Sequence, residues 1–175
     1  MEDKAFVHIA INLWKRSEGQ AISACGASGG LGTLWNANKF SKIKEVDNTH
    51  WLLSNLQQVD SNETLCLFNV YVPASAGEKK SCWESIRSMA ETKDLVNIII
   101  AGDLNLTLSL AEKHGGSIVR DPTQEWVEDL LQDWDLNDIK PSSGKYTWSN
   151  KRLGLEHIAA RLDRFLFKVL SFFLD

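Results

Sequence analysis

A chain of 175 residues, 43% of them hydrophobic, is long enough for one domain with its own core. Its net charge of −4 excludes a protein that coats nucleic acid by bulk charge alone. Its three cysteines (Cys25, Cys66 and Cys82) form no C-x-x-C pair and leave an odd thiol, so neither a disulfide framework nor a zinc site is signalled, and a reducing intracellular setting fits best.

In chain order, residues 5 to 14 fit strand and helix patterns equally well. Ala21 to Cys25 and Gly30 to Trp35 read as two strands around a Gly26-Ala27-Ser28-Gly29 turn. Ile43 to Val46 and Trp51 to Val59 are weaker strands, and Thr64 to Val72 is a strong one ended by Pro73. Ser75 and Glu78 have capping-box spacing, and Cys82, Ile86, Met89 and Ala90 then recur at helical intervals, so a helix is predicted over roughly 78–92. The apolar run at 97–101 predicts a strand covered on both faces and central in its sheet. Asp121-Pro122 opens a second helix over roughly 122–134, with Trp126, Val127, Leu130, Leu131 and Trp134 as its buried stripe. Tyr146 to Ser149 and Ile158 to Phe167 close the chain as a hairpin. Most of the seven tryptophans are expected in the core. Phe165 to Leu174 is greasy but broken by Lys168 and too short to span a bilayer, and no signal peptide is visible, so no membrane role is expected. Strands outnumber helices, which points to a sheet-rich α/β or α+β layered domain.

The chemistry concentrates after the 97–101 strand, in Gly102-Asp103-Leu104-Asn105. A carboxylate leaving a buried strand is costly unless paired, hydrogen-bonded or bound to a metal, and the 103 and 105 side chains share one side of an extended segment. Oxygen donors of this kind suit Mg²⁺ or Mn²⁺; the plainer alternative is a turn closing a core strand. In Arg161-Leu162-Asp163-Arg164-Phe165, alternation puts Arg161, Asp163 and Phe165 on one face and Leu162, Arg164 and Leu166 on the other. Asp163 is therefore either a second inward carboxylate or half of a rim salt bridge. Charge is segregated: Glu91 to Asp138 holds eleven acidic and three basic residues, whereas Lys140 to Lys168 holds seven basic residues against Glu156 and Asp163. That is compatible with a basic rim beside an acidic, metal-holding centre, and equally with a solvated acidic helix followed by a basic hairpin. Gly26 to Gly32 lacks the third glycine of a dinucleotide fingerprint and is followed by a strand, so no nucleotide cofactor is expected. His8, His50, His114 and His157 are scattered without metal-ligand spacing.

Taken together and in order, Ser28-Gly29-Gly30, Asn69-Val70-Tyr71-Val72-Pro73, Ala101-Gly102-Asp103-Leu104-Asn105, Tyr146-Thr147-Trp148-Ser149-Asn150 and Arg161-Leu162-Asp163-Arg164-Phe165 resemble the endonuclease/exonuclease/phosphatase family, the DNase I-like metal-dependent phosphodiesterases. Glu112-Lys113-His114-Gly115-Gly116 and the Thr-Trp-Ser-Asn to Arg-Leu-Asp-Arg-Phe succession are similar to the endonuclease domains of plant LINE-type (non-LTR) retrotransposons. The resemblance covers about Gly26 to Phe167. It implies an α/β sandwich with a DNase I-like two-sheet core flanked by helices, incomplete at both ends, and a Mg²⁺- or Mn²⁺-dependent DNA endonuclease. It implies that Tyr71 hydrogen-bonds the scissile phosphate, that Asp103 orients or deprotonates the attacking water, and that Asn105 holds phosphate or water, with Asp103 and Asn105 at the metal. Asp163 would buttress a catalytic histidine, while Trp148, Asn150, Arg161 and Arg164 would bind substrate. The family's early Gln-Glu and closing Ser-Asp-His motifs find no match here, so weak or absent activity is expected of this chain. The partners implied are DNA and the rest of a reverse-transcriptase polyprotein, acting in the nucleus. The alternatives are a non-catalytic remnant that at most binds nucleic acid, or a phosphatase-type member of the same family.

Overall fold

The computed structural model describes residue 12 and residues 14–23, 30–117 and 119–168. Strands β1 (Ser17–Ile22) and β2 (Leu31–Asn36) form an antiparallel ribbon. The expected pairing on either side of the glycine-rich turn is therefore present, with the first strand starting four residues earlier than its sequence pattern suggested; residues 24–29 lie outside the described residues.

The main sheet is built from β3 (Phe40–Asp47), β4 (Trp51–Gln58), β5 (Thr64–Tyr71), β6 (Ile98–Asp103), β8 (Asn137–Asp138) and β11 (Asp163–Phe167), in the order β3-β4-β5-β6-β11-β8. Every pairing is antiparallel except β5 with β6, which are joined through helix α1 (Ala76–Thr92). A third, small sheet joins β7 (Lys113–His114), β10 (Ala159–Ala160) and β9 (Trp148–Ser149) in the order β7-β10-β9.

Alternation along the strands decides the layers. Phe68, Val70, Ile100 and Leu166 point to one side, where Cys82, Trp83 and Ile86 of α1 and Val127 and Leu130 of α2 (Gln124–Asp133) complete the core. The β1–β2 ribbon lies against the other face. There the Asn69 amide donates to the Gly32 carbonyl at 2.9 Å, and the Gln20 amide donates to Ser54 Oγ at 2.6 Å. The result is the sheet-on-sheet, helix-flanked α/β arrangement expected from the sequence.

Local details differ in instructive ways. Ser75 does not cap α1 through the backbone; its hydroxyl instead donates to the Glu78 carboxylate. Helix α2 begins two residues later than Pro122, because the Asp121 carboxylate accepts from the Thr123 N–H at 2.9 Å and holds 121–123 as a turn. The closing run is not one strand. It breaks at Arg161-Leu162 into β10 and β11, which belong to different sheets. The Thr147 hydroxyl accepts from both the Leu162 and Asp163 N–H groups at 3.0 Å and takes the place of a ladder partner there. Of the tryptophans, Trp35, Trp51 and Trp83 are buried, Trp126 and Trp134 pack partly covered against the core, and Trp14 and Trp148 are exposed.

Candidate active site

Two pairings bring the site together. The parallel register sets Tyr71 beside Asp103, and the antiparallel register sets Asp163 directly opposite Asp103. Residues opposed across a ladder project to the same face, so Tyr71, Asp103 and Asp163 form one row across three adjacent strands, with neighbouring backbones about 4.8 Å apart. All three lie on the ribbon-side face, away from the helices.

Glycine at 102 is what lets β6 and β5 come this close. Gly102 has φ +135°, and a Cβ there would sit 2.0 Å from the Val70 carbonyl oxygen. Only glycine tolerates both the dihedral and the approach.

After the strand the chain turns sharply. Asn105 has φ +50°, its N–H donates to Asp103 Oδ1 at 2.8 Å, and its side-chain amide donates to the Val72 carbonyl at 2.8 Å. The turn is held from behind by Lys79 of α1, which is 1% exposed. Its ammonium donates to the Asn105 carbonyl at 2.7 Å and pairs with the Asp121 carboxylate. Burial pushes Asp121 up, but its bonds to Lys79 and Thr123 outweigh this and hold it below the usual carboxylate range.

Asp103 goes the other way. Burial pushes its carboxyl above the usual range; the Asn105 N–H and the Lys79 charge pull it down, and the neighbouring Asp163 charge pushes it up again. A half-buried carboxylate facing a second one is a place where a cation is favourable. The donors at hand are oxygens, which fit Mg²⁺ or Mn²⁺ rather than a thiophilic metal. Among the described residues no group of three or more His, Cys, Asp or Glu is placed to hold a metal, so the protein would supply two carboxylates, with the Asn105 side-chain oxygen as a further acceptor.

The remaining sequence candidates separate. Trp148, 45% exposed on β9, follows the threonine that buttresses Asp163. Asn150 is used internally. Its Oδ1 accepts from the Arg152 and Ile158 N–H groups, and its amide donates to the Glu156 carbonyl at 2.8 Å, closing the 150–158 loop.

Arg161 and Arg164 require a correction: they are 3% and 4% exposed, and their guanidiniums are engaged by carboxylates of the protein itself. Arg164 is opposite Gly102, on the helix-side face away from Asp163. Both guanidiniums bind the same two carboxylates. Arg161 reaches Asp138 at 2.6 Å and Glu112 at 3.1 Å, while Arg164 reaches Asp138 at 2.6 Å and also pairs with Glu112. Burial pushes Glu112 up, but Arg164 and then Arg161 outweigh it and hold the carboxyl below its usual range. Two cations and two anions cancel, and β11, β8 and the 3₁₀ turn Leu110–Glu112 are fastened together behind the acidic row. The acids that pair with these arginines lie 23 or more residues away in sequence, so the local pattern carried no sign of them.

Two residues were missed by the sequence reading. Lys79 stands next to Lys80 in the first turn of α1 and carries no local mark of burial. His50 looked scattered, yet its carbonyl accepts the Tyr71 N–H at 2.8 Å, which extends the row by one position at the edge of β4. Two strands that read as strongly as 51–59 and 64–72, joined by a short connection, imply that antiparallel pairing, and it alone could have pointed to His50.

Comparison with known proteins agrees with the geometry at the level of fold. No protein-family model matches the chain. Over 118 residues it is 30% identical to the Transposon TX1 uncharacterized 149 kDa protein of Xenopus laevis; the match takes in 64% of this chain and spans 9% of that protein's length. The endonuclease domain of TRAS1, a telomere-specific non-LTR retrotransposon, superposes with a TM-score of 0.66 at 14% identity, covering 94% of this chain and 78% of that one. An endonuclease/exonuclease/phosphatase family protein from Bacteroides thetaiotaomicron gives a TM-score of 0.65 at 10% identity, covering 93% of this chain and 65% of that one. ANGEL2, a 2′,3′-cyclic phosphatase, gives 0.63 at 14% identity, over 94% of this chain and 66% of that one. No helix among the described residues is long and apolar enough to cross a membrane.

Proposed function

Starting from a chain that has the fold of the endonuclease/exonuclease/phosphatase proteins, we propose that it is the metal-dependent phosphodiesterase domain of a retrotransposon-type protein and acts on DNA. The observation that carries this reading is the Tyr71–Asp103–Asp163 row, three residues from three strands far apart in sequence aligned at one end of the sheet. Chance turn residues would have no reason to align.

In this reading Asp103, with its carboxyl raised by burial, takes a proton from a water aligned with the scissile phosphorus. The Tyr71 hydroxyl, on a residue 38% exposed, donates to a phosphate oxygen. Asn105 fixes the Asp103 carboxylate through its N–H and presents its side-chain oxygen to water or phosphate. Asp163 adds the second negative charge. A bound Mg²⁺ or Mn²⁺ would offset charge developing on the phosphate and leaving oxygen, held by Asp103 and Asp163. Two carboxylates alone would hold such an ion weakly, and slow hydrolysis would follow. The likeness to a transposon protein and to a retrotransposon endonuclease domain favours DNA over a small phosphoester, and with it a nuclear site of action within a larger polyprotein.

Plasmid nicking tests it. Mg²⁺-dependent conversion of supercoiled to open-circular DNA, abolished by EDTA and by Asp103→Asn, is expected. Salt-sensitive DNA binding without any nicking would overturn the catalytic reading in favour of a nucleic-acid-binding remnant. Hydrolysis of a small phosphomonoester without nicking would favour a phosphatase-type member instead.

A further inference from the structure

Two of the histidines that look scattered in sequence meet on the small sheet. The register Ala159↔His114 puts His157, two residues before Ala159, on the same face as His114 and diagonal to it. Their ring centroids are 5.6 Å apart with the planes inclined at 52°. Metal–nitrogen bonds of about 2.0–2.1 Å, added to the ~1.2 Å from ring nitrogen to ring centre, place each centroid ~3.2 Å from a shared ion, and a tetrahedral angle then separates the centroids by ~5.2 Å. The pair is already near the spacing of two imidazoles on one ion.

A second feature points the same way. His157 Nε2 lies 3.1 Å from Ser149 Oγ, on the strand across β10. When Nε2–H donates to that oxygen, the lone pair sits on Nδ1, free for a metal. Such a partner on the far nitrogen is what commonly orients a metal-binding histidine. Ser149 Oγ also accepts from the Lys151 N–H at 3.1 Å, which fixes the hydroxyl in place. Nearby charges are accounted for elsewhere: Lys113 donates to the Ser117 carbonyl, Arg152 pairs with Glu156, and Lys145 lies over the Tyr146 ring.

We infer that His114 and His157 form a binding site for a borderline divalent transition metal, Zn²⁺ or Ni²⁺, completed by water and oriented by Ser149. Nitrogen donors distinguish it from the all-oxygen acidic row, and Mg²⁺ has little affinity for it. The bound ion would clip β7 to the turn that enters β10, and the inference stands independently of any nuclease activity.

The test is calorimetric titration of Zn²⁺ into the full, tag-free chain carrying Cys25→Ser to remove a competing thiol. Burial pushes the Cys66 and Cys82 thiols up to about 11 and about 12, so they do not compete. One Zn²⁺ site is expected that withstands millimolar Mg²⁺, weakens at least tenfold in His114→Gln and in His157→Gln, weakens about tenfold in Ser149→Ala, and persists in Asp103→Asn. Circular dichroism of each variant establishes that it is folded, and the Ser149→Ala and Asp103→Asn pair decides the question should a histidine variant fail to fold. No Zn²⁺ binding by the parent chain, affinity unchanged across the histidine and serine variants, or loss confined to Asp103→Asn would each overturn the inference.

Discussion

Asp103 and Asp163 are directly opposed residues of an antiparallel pair, so two carboxylates share one face of the sheet, and among the described residues no lysine or arginine forms an ion pair with either. Lys79, whose charge is felt at Asp103, is committed to Asp121 and to the Asn105 carbonyl behind the turn. The site is therefore less stable than a neutral one would be, and that cost can be measured.

Asp103→Asn should raise the melting temperature at neutral pH. The folded-state carboxyl is raised above its unfolded value, so the group contributes stability below the unfolded value and loses it as pH rises through the folded one. The variant's advantage should accordingly be largest at pH 7 and vanish in acid. Saturating Mg²⁺ should stabilise the parent chain and narrow the gap. Thermal melts of both proteins from pH 3 to 8 check this; a variant less stable than the parent at pH 7 would contradict the assigned environment.

Gly102→Ala should be among the most damaging single-methyl changes in the chain. The added carbon meets the Val70 carbonyl oxygen at 2.0 Å with φ at +135°, and neither strand can retreat without breaking the register that aligns Tyr71 with Asp103. A loss of ~4 kcal/mol or failure to fold is expected from urea denaturation. Gly77→Ala, where nothing lies within 4 Å, is the matched control and should be neutral or slightly stabilising.

Arg164→Met should destabilise by about 3 kcal/mol at pH 7, because the partly buried Glu112 and Asp138 are left with one guanidinium between them. Glu112 is held below its usual range by Arg164, so the pairing contributes above the unfolded value and is lost as pH falls through the folded one. The deficit should therefore shrink towards pH 4. A pH-independent deficit in chemical denaturation would mean that lost packing of the side-chain stem, rather than charge, sets the cost.

How far the sequence reaches can be read from particular residues. The run from Ile98 to Ala101 announced an interior strand because an unbroken apolar stretch is what burial on both faces demands. The spacing of Val127, Leu130 and Leu131 announced the inner stripe of α2 for the equivalent reason in a helix. From Asp163 to Leu166 alternation separated the faces, with Arg164 and Leu166 buried and Asp163 and Phe165 exposed, but it failed at Arg161, which the break before β11 buries with Arg164 instead of leaving on the Asp163 face. These are properties of neighbours along the chain, and hydrophobic periodicity reports them.

What alternation could not say is which face meets solvent as a site and which is sealed by charge. Arg164 looked available because its counter-ions, Glu112 and Asp138, come from the 3₁₀ turn before β7 and from β8. Lys79 carried no sign of its role because Asp121 and Asn105 reach it only once α1 is laid across the sheet. His114 and His157 looked unrelated because three short strands must pair before their rings approach. The sequence alone determined the longer strands, the two helices and the order of the acidic segments, though not the short strands β7 and β8 or the break between β10 and β11. The tertiary structure decided which charges neutralise one another and which are left facing outward, because that depends on strand register and crossover, through which residues dozens of positions apart become neighbours at about 5 Å.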